Sequence, residues 1–306
     1  MKGSIELNAH RLVILNSDDF GFSSEVNRAV VHAHTLGTLT SASLMVAEPA
    51  WQEAVALAHK HPNLGVGLHV CVTNDRPLLS ASEIPDLVTA TGTFGADPFT
   101  VGLRYAFSGK CSAQLLKEME AQFARFASTG LPWSHADGHQ HFHLHPTVWN
   151  HFLNLCDANN VRRVRLPHES LIAHLRGGGD RSGINAMALL AFRALRRRAL
   201  RQMHSRAQHN SLPYFWCGQV YGLLQTGNMN LQYLQNLLPR IPAGVSEIYF
   251  HPAAPHAKRL ACSETNPSEA KDVEAAALYD PAFSAELERQ GIRPVTYAEA
   301  QQLAVQ

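Results

Sequence analysis

Residues 11–21 read RLVILNSDDFG, an apolar, β-branched run that stops at two adjacent acids, Asp18 and Asp19. Short apolar runs of this length, bounded by turn signals, are typical of buried strands. Further runs of this kind occur at residues 64–72, 133–135, 161–166, 245–250 and 294–297. The sequence therefore predicts a series of short buried strands.

Helical patterns separate the predicted strands. They cover residues 24–36, 50–61, 112–128, 146–159, 230–238 and 297–305. Alternating strands and helices favour an α/β fold with a parallel sheet and right-handed crossovers. The number of units favours a barrel over a short open sheet. No internal repeat or low-complexity linker interrupts the chain, so we expect one domain over residues 1–306.

Composition excludes several classes of protein. The chain has 26 Lys and Arg against 25 Asp and Glu, a net charge of +1, which argues against nucleic acid as a partner. Five scattered cysteines without a CxxC pair predict neither a disulfide framework nor a thiolate zinc site. We see no apolar run of membrane-spanning length and no signal-peptide pattern, so we expect a cytoplasmic protein. The oligomeric state stays open.

Two stretches break the alternation of strands and helices. Residues 73–109, rich in Gly, Pro, Ser and Thr, predict a long functional loop. An insertion at about 176–213 contains a basic helix in which six arginines oppose an apolar stripe. The simpler interpretation is a solvated charged face over an ordinary apolar stripe. The other interpretation is a helix that lies on a membrane surface and meets a lipidic substrate.

Ionisable side chains stand at the ends of the predicted strands. In α/β barrels the catalytic groups lie at the carboxyl ends of the strands, where several strands converge. The residues at these ends are Asp18, Asp19, His69, Asp137, His139 and His251. We therefore expect one site built from several strands.

The adjacent acids Asp18 and Asp19 favour a pair in which one carboxylate binds a metal and the other acts as a base. The alternative is a cap on the helix that begins near Ser24. His69 lies in an apolar strand, where a lone histidine is usually a core residue. A metal site with Asp19 and His139 would make it the third ligand and leave positions open for water and substrate.

Residues 135–145 contain five histidines, four of them alternating from His139 to His145. In an extended chain these four would share one face. Because neutral imidazole is a common metal ligand, we expect one or two of them to bind metal. The others, above all His143 and His145, are expected at the rim of a pocket. His251, which precedes a proline, is either a general acid or a strand-end cap.

Four blocks of the sequence together resemble the YdjC-like family of carbohydrate deacetylases (the ChbG/HpnK group). They are NSDDFG at 16–21, GLH at 67–69, HADGHQH at 135–141 and EIYFHP at 247–252. The resemblance implies a distorted, TIM-like (β/α) barrel that uses a divalent metal to remove N-acetyl groups from amino sugars. The stretch around Trp216 also resembles the hopanoid-associated HpnK branch, which implies a lipid-linked N-acetylglucosamine as substrate.

By position, the resemblance implies that Asp19, His69 and His139 bind the metal, either Zn or Mg, and that Asp18 is the catalytic carboxylate. His251 is then expected to protonate the departing amine. Substrate contacts are expected from Arg165, His141, Asp137 and Trp216. For the arginine, pairing with a carboxylate is the alternative role.

Other functions stay open at the level of the sequence. Two histidines and one carboxylate are also the ligands of non-heme iron oxygenases, although those enzymes normally have a double-stranded β fold. A non-catalytic sugar- or metal-binding module would not need Asp18 beside a ligand. Within the deacetylases, free chito-oligosaccharides are the alternative to a lipid-linked amino sugar.

Overall fold

The computed structural model describes residues 10–181, 186–210, 213–252 and 273–305. The strands are β1 (Arg11–Phe20), β2 (Ser41–Leu44), β3 (Gly65–Val70), β4 (Ala136–Gly138), β5 (Gln219–Tyr221), β6 (Gly244–Phe250) and β7 (Ile292–Pro294). The helices are α1 (Ser24–Thr35), α2 (Trp51–Lys60), α3 (Pro98–Phe107), α4 (Gly109–Ser128), α5 (Pro146–Ala158), α6 (Leu171–Arg176), α7 (Ala186–Asn210), α8 (Leu231–Leu237), α9 (Val273–Tyr279), α10 (Pro281–Arg289) and α11 (Tyr297–Val305).

The strands are parallel and follow the order β4-β3-β2-β1-β6-β5, and β7 pairs with the first residues of β1. Isolated bridges continue the sheet from Ala136 through residues 163–164 to Phe215. The N–H of Val220 in β5 donates to the carbonyl of His168. These contacts join the two outer strands, so the α/β fold is the distorted TIM-like barrel that the sequence predicted.

The central strand β1 is buried along nearly its whole length, as expected for a parallel sheet covered on both faces. Val13 and Leu15 join the main hydrophobic core, whereas Leu12 and Ile14 join a smaller cluster. Asp18 continues the second face, because side chains alternate with a period of two. The strand therefore brings one acid into the barrel interior at its carboxyl end.

The backbone after Asp18 turns sharply. Asp19 adopts a φ of 62° and Gly21 a φ of 92°, where a Cβ would lie about 3.0–3.1 Å from neighbouring atoms. Glycine is required there because L-residues rarely adopt this conformation. The cap of α1 is Ser23, whose side chain accepts from the N–H of Val26. The acids are therefore not the helix cap.

Several predicted elements differ from the structure. The strand expected at 133–135 lies at Ala136–Gly138, and residues 161–166 form only isolated bridges. The last strand, expected at 294–297, is Ile292–Pro294. The stretch expected as a loop contains α3, which is capped by Asp97 and begins with Pro98.

Candidate active site

The three expected metal ligands meet at the carboxyl end of the barrel. Oδ1 of Asp19 lies 3.3 Å from Nδ1 of His139 and 3.7 Å from Nε2 of His69. One potential ligand atom from each residue lies within 4.8 Å of the others. His69 is buried, whereas the side chains of Asp19 and His139 are 14% and 13% exposed. We call these three residues the triad, and it is accessible from solvent.

Two carboxylates orient the imidazoles of the triad. Nδ1 of His69 lies 2.7 Å from Oδ1 of Asp137. Nε2 of His139 lies 3.2 Å from Oδ2 of Asp75. Each ring therefore turns its other nitrogen toward Asp19, and a carboxylate behind the imidazole is the usual setting of a metal-bound histidine. The sequence did not reveal Asp75, because it lies in the predicted loop.

The charges around the triad favour a cation. Burial alone would lower the pKa of His69, but three neighbouring aspartates raise it to about 9. Burial also opposes ionisation of Asp19, yet His139 and other imidazoles hold the pKa of its carboxyl well below its usual range. A proton on a buried imidazole thus compensates an excess of negative charge. A divalent cation would compensate the same charge, so this donor set fits such an ion.

Beneath the triad, Arg165 binds three carboxylates. Its Nη1 and Nη2 donate to the two oxygens of Asp18 at 2.8 and 2.7 Å. Nη1 also lies 2.7 Å from Oδ2 of Asp137, and Nε donates to Oε1 of Glu247 at 2.9 Å. All four side chains are buried. Burial would lower the pKa of Arg165, but the carboxylates hold it well above its ordinary value. We call these four residues the arginine group.

This burial places two of the expected substrate contacts away from solvent. Arg165 and Asp137 have no exposed surface, so neither reaches a substrate in this structure. Arg165 pairs with carboxylates, which was its alternative role. Asp18, His69 and Asp137 also bring three potential ligand atoms together. Because the guanidinium already neutralises that set, the solvent-accessible triad is the better cation site.

A polar network extends from the arginine group through the barrel. The hydroxyl of Tyr297, at the start of α11, donates to Oε2 of Glu247 at 2.5 Å. Its ring stacks on His135 with centroids 4.2 Å apart. Nε2 of His135 lies 3.0 Å from Oγ of Ser43, which donates to Asp137 at 3.0 Å. The network connects α11 to the arginine group beneath the triad.

His251 follows β6 and lies on the open side of Asp18. Its Nε2 is 3.8 Å from Oδ2 of Asp18, and its Nδ1 is 3.8 Å from Oε2 of Glu274 in α9. Glu274 also accepts the backbone N–H of His251, which fixes the position of this residue. The side chain of His251 is 19% exposed, so it can meet a group that enters from solvent.

The histidine-rich segment does not present four rings on one face. Residues His139–Leu144 form a 3-10 turn, and its second and third residues adopt a φ of 52° and 55°. Only His139 joins the triad. His143 Nε2 lies 3.0 Å from the backbone carbonyl of Arg165. The ring of His145 stacks on a neighbouring phenylalanine, with centroids 5.5 Å apart.

The two other expected substrate contacts, His141 and Trp216, have different neighbours. His141 is only 6% exposed; its Nε2 lies 3.0 Å from the hydroxyl of Tyr249, and its ring meets Phe192 of α7. It therefore borders the site. Trp216 packs against the main core and meets His204 of α7. Among the described residues, no hydrogen bond or ring contact joins Trp216 to the triad or to the arginine group.

The fold and the site together define an α/β-barrel protein in which two imidazoles and one carboxylate form a candidate metal site. The chain belongs to the YdjC-like protein family, whose family model matches residues 12–289. A carbohydrate deacetylase of Mus musculus is 31% identical over 255 residues, which cover 79% of this chain and 78% of that protein.

Bacterial relatives match over a shorter stretch. A carbohydrate deacetylase of Brevibacillus brevis is 37% identical over 157 residues, 51% of this chain and 59% of that protein. A chitooligosaccharide deacetylase of Serratia marcescens is 36% identical over 141 residues, 45% of this chain and 53% of that protein. The matched stretch thus spans little more than half the length of these two relatives.

A solved structure shares the fold over nearly the whole chain. It comes from Enterococcus faecalis V583 and is described as a cellobiose-phosphate cleavage protein. It superposes with a TM-score of 0.70 at 19% sequence identity, and the match covers 95% of this chain and 98% of that chain.

Proposed function

We propose that this protein is a metal-dependent carbohydrate N-deacetylase that hydrolyses the N-acetyl group of an N-acetylglucosamine-type amino sugar. The observation that carries the proposal is the solvent-accessible triad directly beside the buried carboxylate of Asp18. Membership of the YdjC-like family and the names of the relatives support the same activity. Acetate and a free amino sugar are the products.

Asp19, His69 and His139 would hold one divalent cation, Zn or Mg. Imidazole ligands suit Zn and carboxylate ligands suit Mg, and the triad offers both. Such a cation, when bound, would lower the pKa of a water ligand toward about 7 and would polarise a carbonyl group. Three protein ligands leave coordination positions open for these groups.

Asp18 acts as the general base in this proposal. Arg165 contacts both of its oxygens, and the side-chain N–H of Asn16 donates to Oδ1 at 2.9 Å. These contacts fix the direction of the carboxylate next to the ligand Asp19. A base held in one orientation is preorganised to take the proton of the attacking water.

His251 acts as the general acid. Its ring lies 3.8 Å from the carboxylate of Asp18 and is partly exposed, so it can reach a leaving amine. Glu274 on its other side accepts the backbone N–H of His251 and holds the residue in place. The acid and the base thus stand next to each other on the open face of the arginine group.

Two rival functions have less support. The two-histidine, one-carboxylate set is shared with non-heme iron oxygenases, but this chain is an α/β barrel rather than a double-stranded β fold. A non-catalytic binding module gives no reason to place the buried Asp18 beside the triad.

We further propose a lipid-linked N-acetylglucosamine, of the hopanoid type implied by the resemblance, as the substrate. Two apolar side chains of α7 support this choice: Met187 is 79% exposed and Leu190 is 63% exposed. Both belong to the same helix as Phe192, whose ring meets His141 at the border of the site. Free chito-oligosaccharides are the alternative, supported by the name of the Serratia marcescens relative.

The decisive experiment measures acetate release from N-acetylated sugars and glycolipids, with a chelator and after readdition of Zn²⁺ or Mg²⁺. We expect release from at least one N-acetylglucosaminide, its loss with chelator and its return with the cation. Iron-dependent oxygen consumption without acetate release would favour the oxygenase. A binding module would keep its function in Asp18→Asn, whereas the deacetylase would lose turnover.

A further inference from the structure

Large apolar side chains stand exposed around the carboxyl face of the barrel. The described residues contain seven such side chains, and six belong to segments that follow β3 or the strand-like residues 161–166. The loops that leave the carboxyl ends of parallel strands lie at the face of the triad, and α3 and α7 both contact the turn that follows β4 there. The six are Phe99, Leu103 and Phe107 in α3, Ile172 in α6, and Met187 and Leu190 in α7.

Helix α3 is apolar on two opposite sides. On its inner side, the ring of Tyr105 meets Phe142 with centroids 5.9 Å apart. On its outer side, Phe99, Leu103 and Phe107 are spaced four residues apart and are 74%, 45% and 84% exposed. Residues with this spacing lie along one face of a helix. We call these three the α3 stripe; no described residue covers it, and exposed stripes of this kind mark interaction surfaces.

The α3 stripe and α7 flank the same turn. Phe142 of that turn contacts α3, and the preceding residue, His141, contacts Phe192 of α7 with centroids 6.3 Å apart. The turn begins at the triad residue His139. Helices α3 and α7 therefore contact neighbouring residues of the turn that starts at the site, and we call the exposed apolar residues of α6 and α7 the α6–α7 rim.

Strong positive charge accompanies the α6–α7 rim. Residues 171–210 contain eight arginines and one acidic residue, whereas the whole chain has a net charge of only +1. Arg193, Arg197, Arg198 and Arg201 are exposed. Exposed apolar side chains next to a cluster of arginines match an anionic lipid surface. The apolar side chains can insert into the membrane interface, and the arginines can bind the anionic headgroups. A second copy would instead place like charges opposite each other.

We propose that this face of the protein docks on an anionic lipid bilayer, with the α3 stripe and the α6–α7 rim in the interface. The inference rests on the proposed function and extends it, because docking would bring the opening of the triad to the sugar of a membrane-anchored substrate. Among the described residues, no helix is both long and apolar enough to cross a membrane.

The test is co-sedimentation with phosphatidylcholine vesicles that contain or lack phosphatidylglycerol. Phe99→Ser/Phe107→Ser removes the most exposed part of the α3 stripe, and Arg197→Ala/Arg198→Ala removes two exposed charges. Leu36→Ser is the matched control, because Leu36 is 48% exposed at the end of α1. We expect wild type and control to bind only the anionic vesicles, and each double variant to bind about tenfold or more weakly.

Two results would overturn docking: wild type that ignores anionic vesicles, or Phe99→Ser/Phe107→Ser that binds like the Leu36→Ser control. If that double variant turns a dimer into a monomer by size-exclusion chromatography while vesicle binding is unchanged, the stripe is an interface between two copies. Turnover of a soluble N-acetylated disaccharide should be equal in all variants. Vesicle binding is read without turnover, so its failure is separate from a failure of the deacetylase proposal.

Discussion

The triad and the arginine group lie next to each other and both contain carboxylates, but they differ in how the negative charge is compensated. In the arginine group, three buried carboxylates share one guanidinium. In the triad, one carboxylate faces two imidazoles and solvent reaches two of the three residues. The comparison teaches that acids paired with a buried guanidinium are structural, whereas an acid that faces imidazoles beside solvent is suited to bind an ion.

The largest expected effect is loss of the metal. Asp19→Asn and His139→Ala each remove a ligand from a site with three, so we expect both metal content and turnover to fall to background. Elemental analysis after dialysis against Zn²⁺ or Mg²⁺ measures the content. His145→Ala is the control, because its ring stacks on Phe142 outside the triad. Metal loss in that control equal to the loss in His139→Ala would contradict the assignment of ligands.

Asp18→Asn should separate the two groups. It removes the proposed base and leaves the triad intact, so turnover should fall by roughly 10²–10⁴-fold while metal content stays near wild type. Steady-state kinetics and elemental analysis on the same preparation check both expectations, and thermal unfolding verifies that the fold survives the altered contact with Arg165. Should metal content fall as far as in Asp19→Asn, Asp18 would belong to the triad instead.

Glu169 extends the comparison of the triad with the arginine group, because it is a buried acid that has no arginine partner among the described residues. Among the described residues, no Lys or Arg forms an ion pair with it, and burial raises its pKa from 4.5 to about 7, although the N–H of Leu224 donates to it. Its neighbours Tyr221 and Tyr233 have pKa values raised by burial and stay neutral in this range.

The sign of the pH effect follows from the direction of this shift. Between pH 4.5 and about 7 the folded protein keeps a proton on Glu169 that the unfolded chain has released. The free energy of unfolding therefore falls as the pH rises through this range. Glu169→Gln should abolish this loss of stability with rising pH. At about 1.4 kcal/mol per pKa unit, we expect the variant to be more stable than wild type by up to about 3 kcal/mol at pH 8. Denaturant unfolding of both proteins at pH 5 and at pH 8 measures the difference. An equal difference at both pH values would show that the carboxyl does not titrate with folding.

The smallest effect is expected from Asp75→Asn. This carboxylate contacts His139 from outside the triad, so we expect metal affinity to fall by about 10–100-fold while binding remains measurable. Titration with Zn²⁺ against a competing chelator gives the affinity. An affinity equal to wild type would mean that Asp75 is not needed to orient the ring.

The sequence predicted the triad because strand ends converge at one face of a parallel barrel. Asp19 and His69 are the next-to-last residues of β1 and β3, and His139 follows β4 directly. Asp75 and Glu247 could not be predicted in the same way. One lies in a loop that returns to the site only through tertiary packing, and the other lies inside an apolar strand where its partner, Arg165, is distant in sequence.

Local signals explain the missing elements. The helix α3 lies in a stretch whose Gly and Thr content favours a loop, although the pair Asp97–Pro98 is a typical helix start that would have revealed it. The alternation from His139 to His145 favours an extended chain, but two successive left-handed residues make it a turn. Backbone strain of this kind depends on surrounding contacts, so it cannot be inferred from residue type.

The left-handed backbone at Asp19 has a consequence for insertions and deletions. Side chains of β1 alternate, so removing one residue upstream would move Asp19 into the interior position beside Arg165 and place Phe20 at the left-handed position. An aromatic residue resists that conformation, and no ligand would remain there. The distance along the chain from Arg11 to the acid pair is therefore as much a part of the active site as the acids themselves.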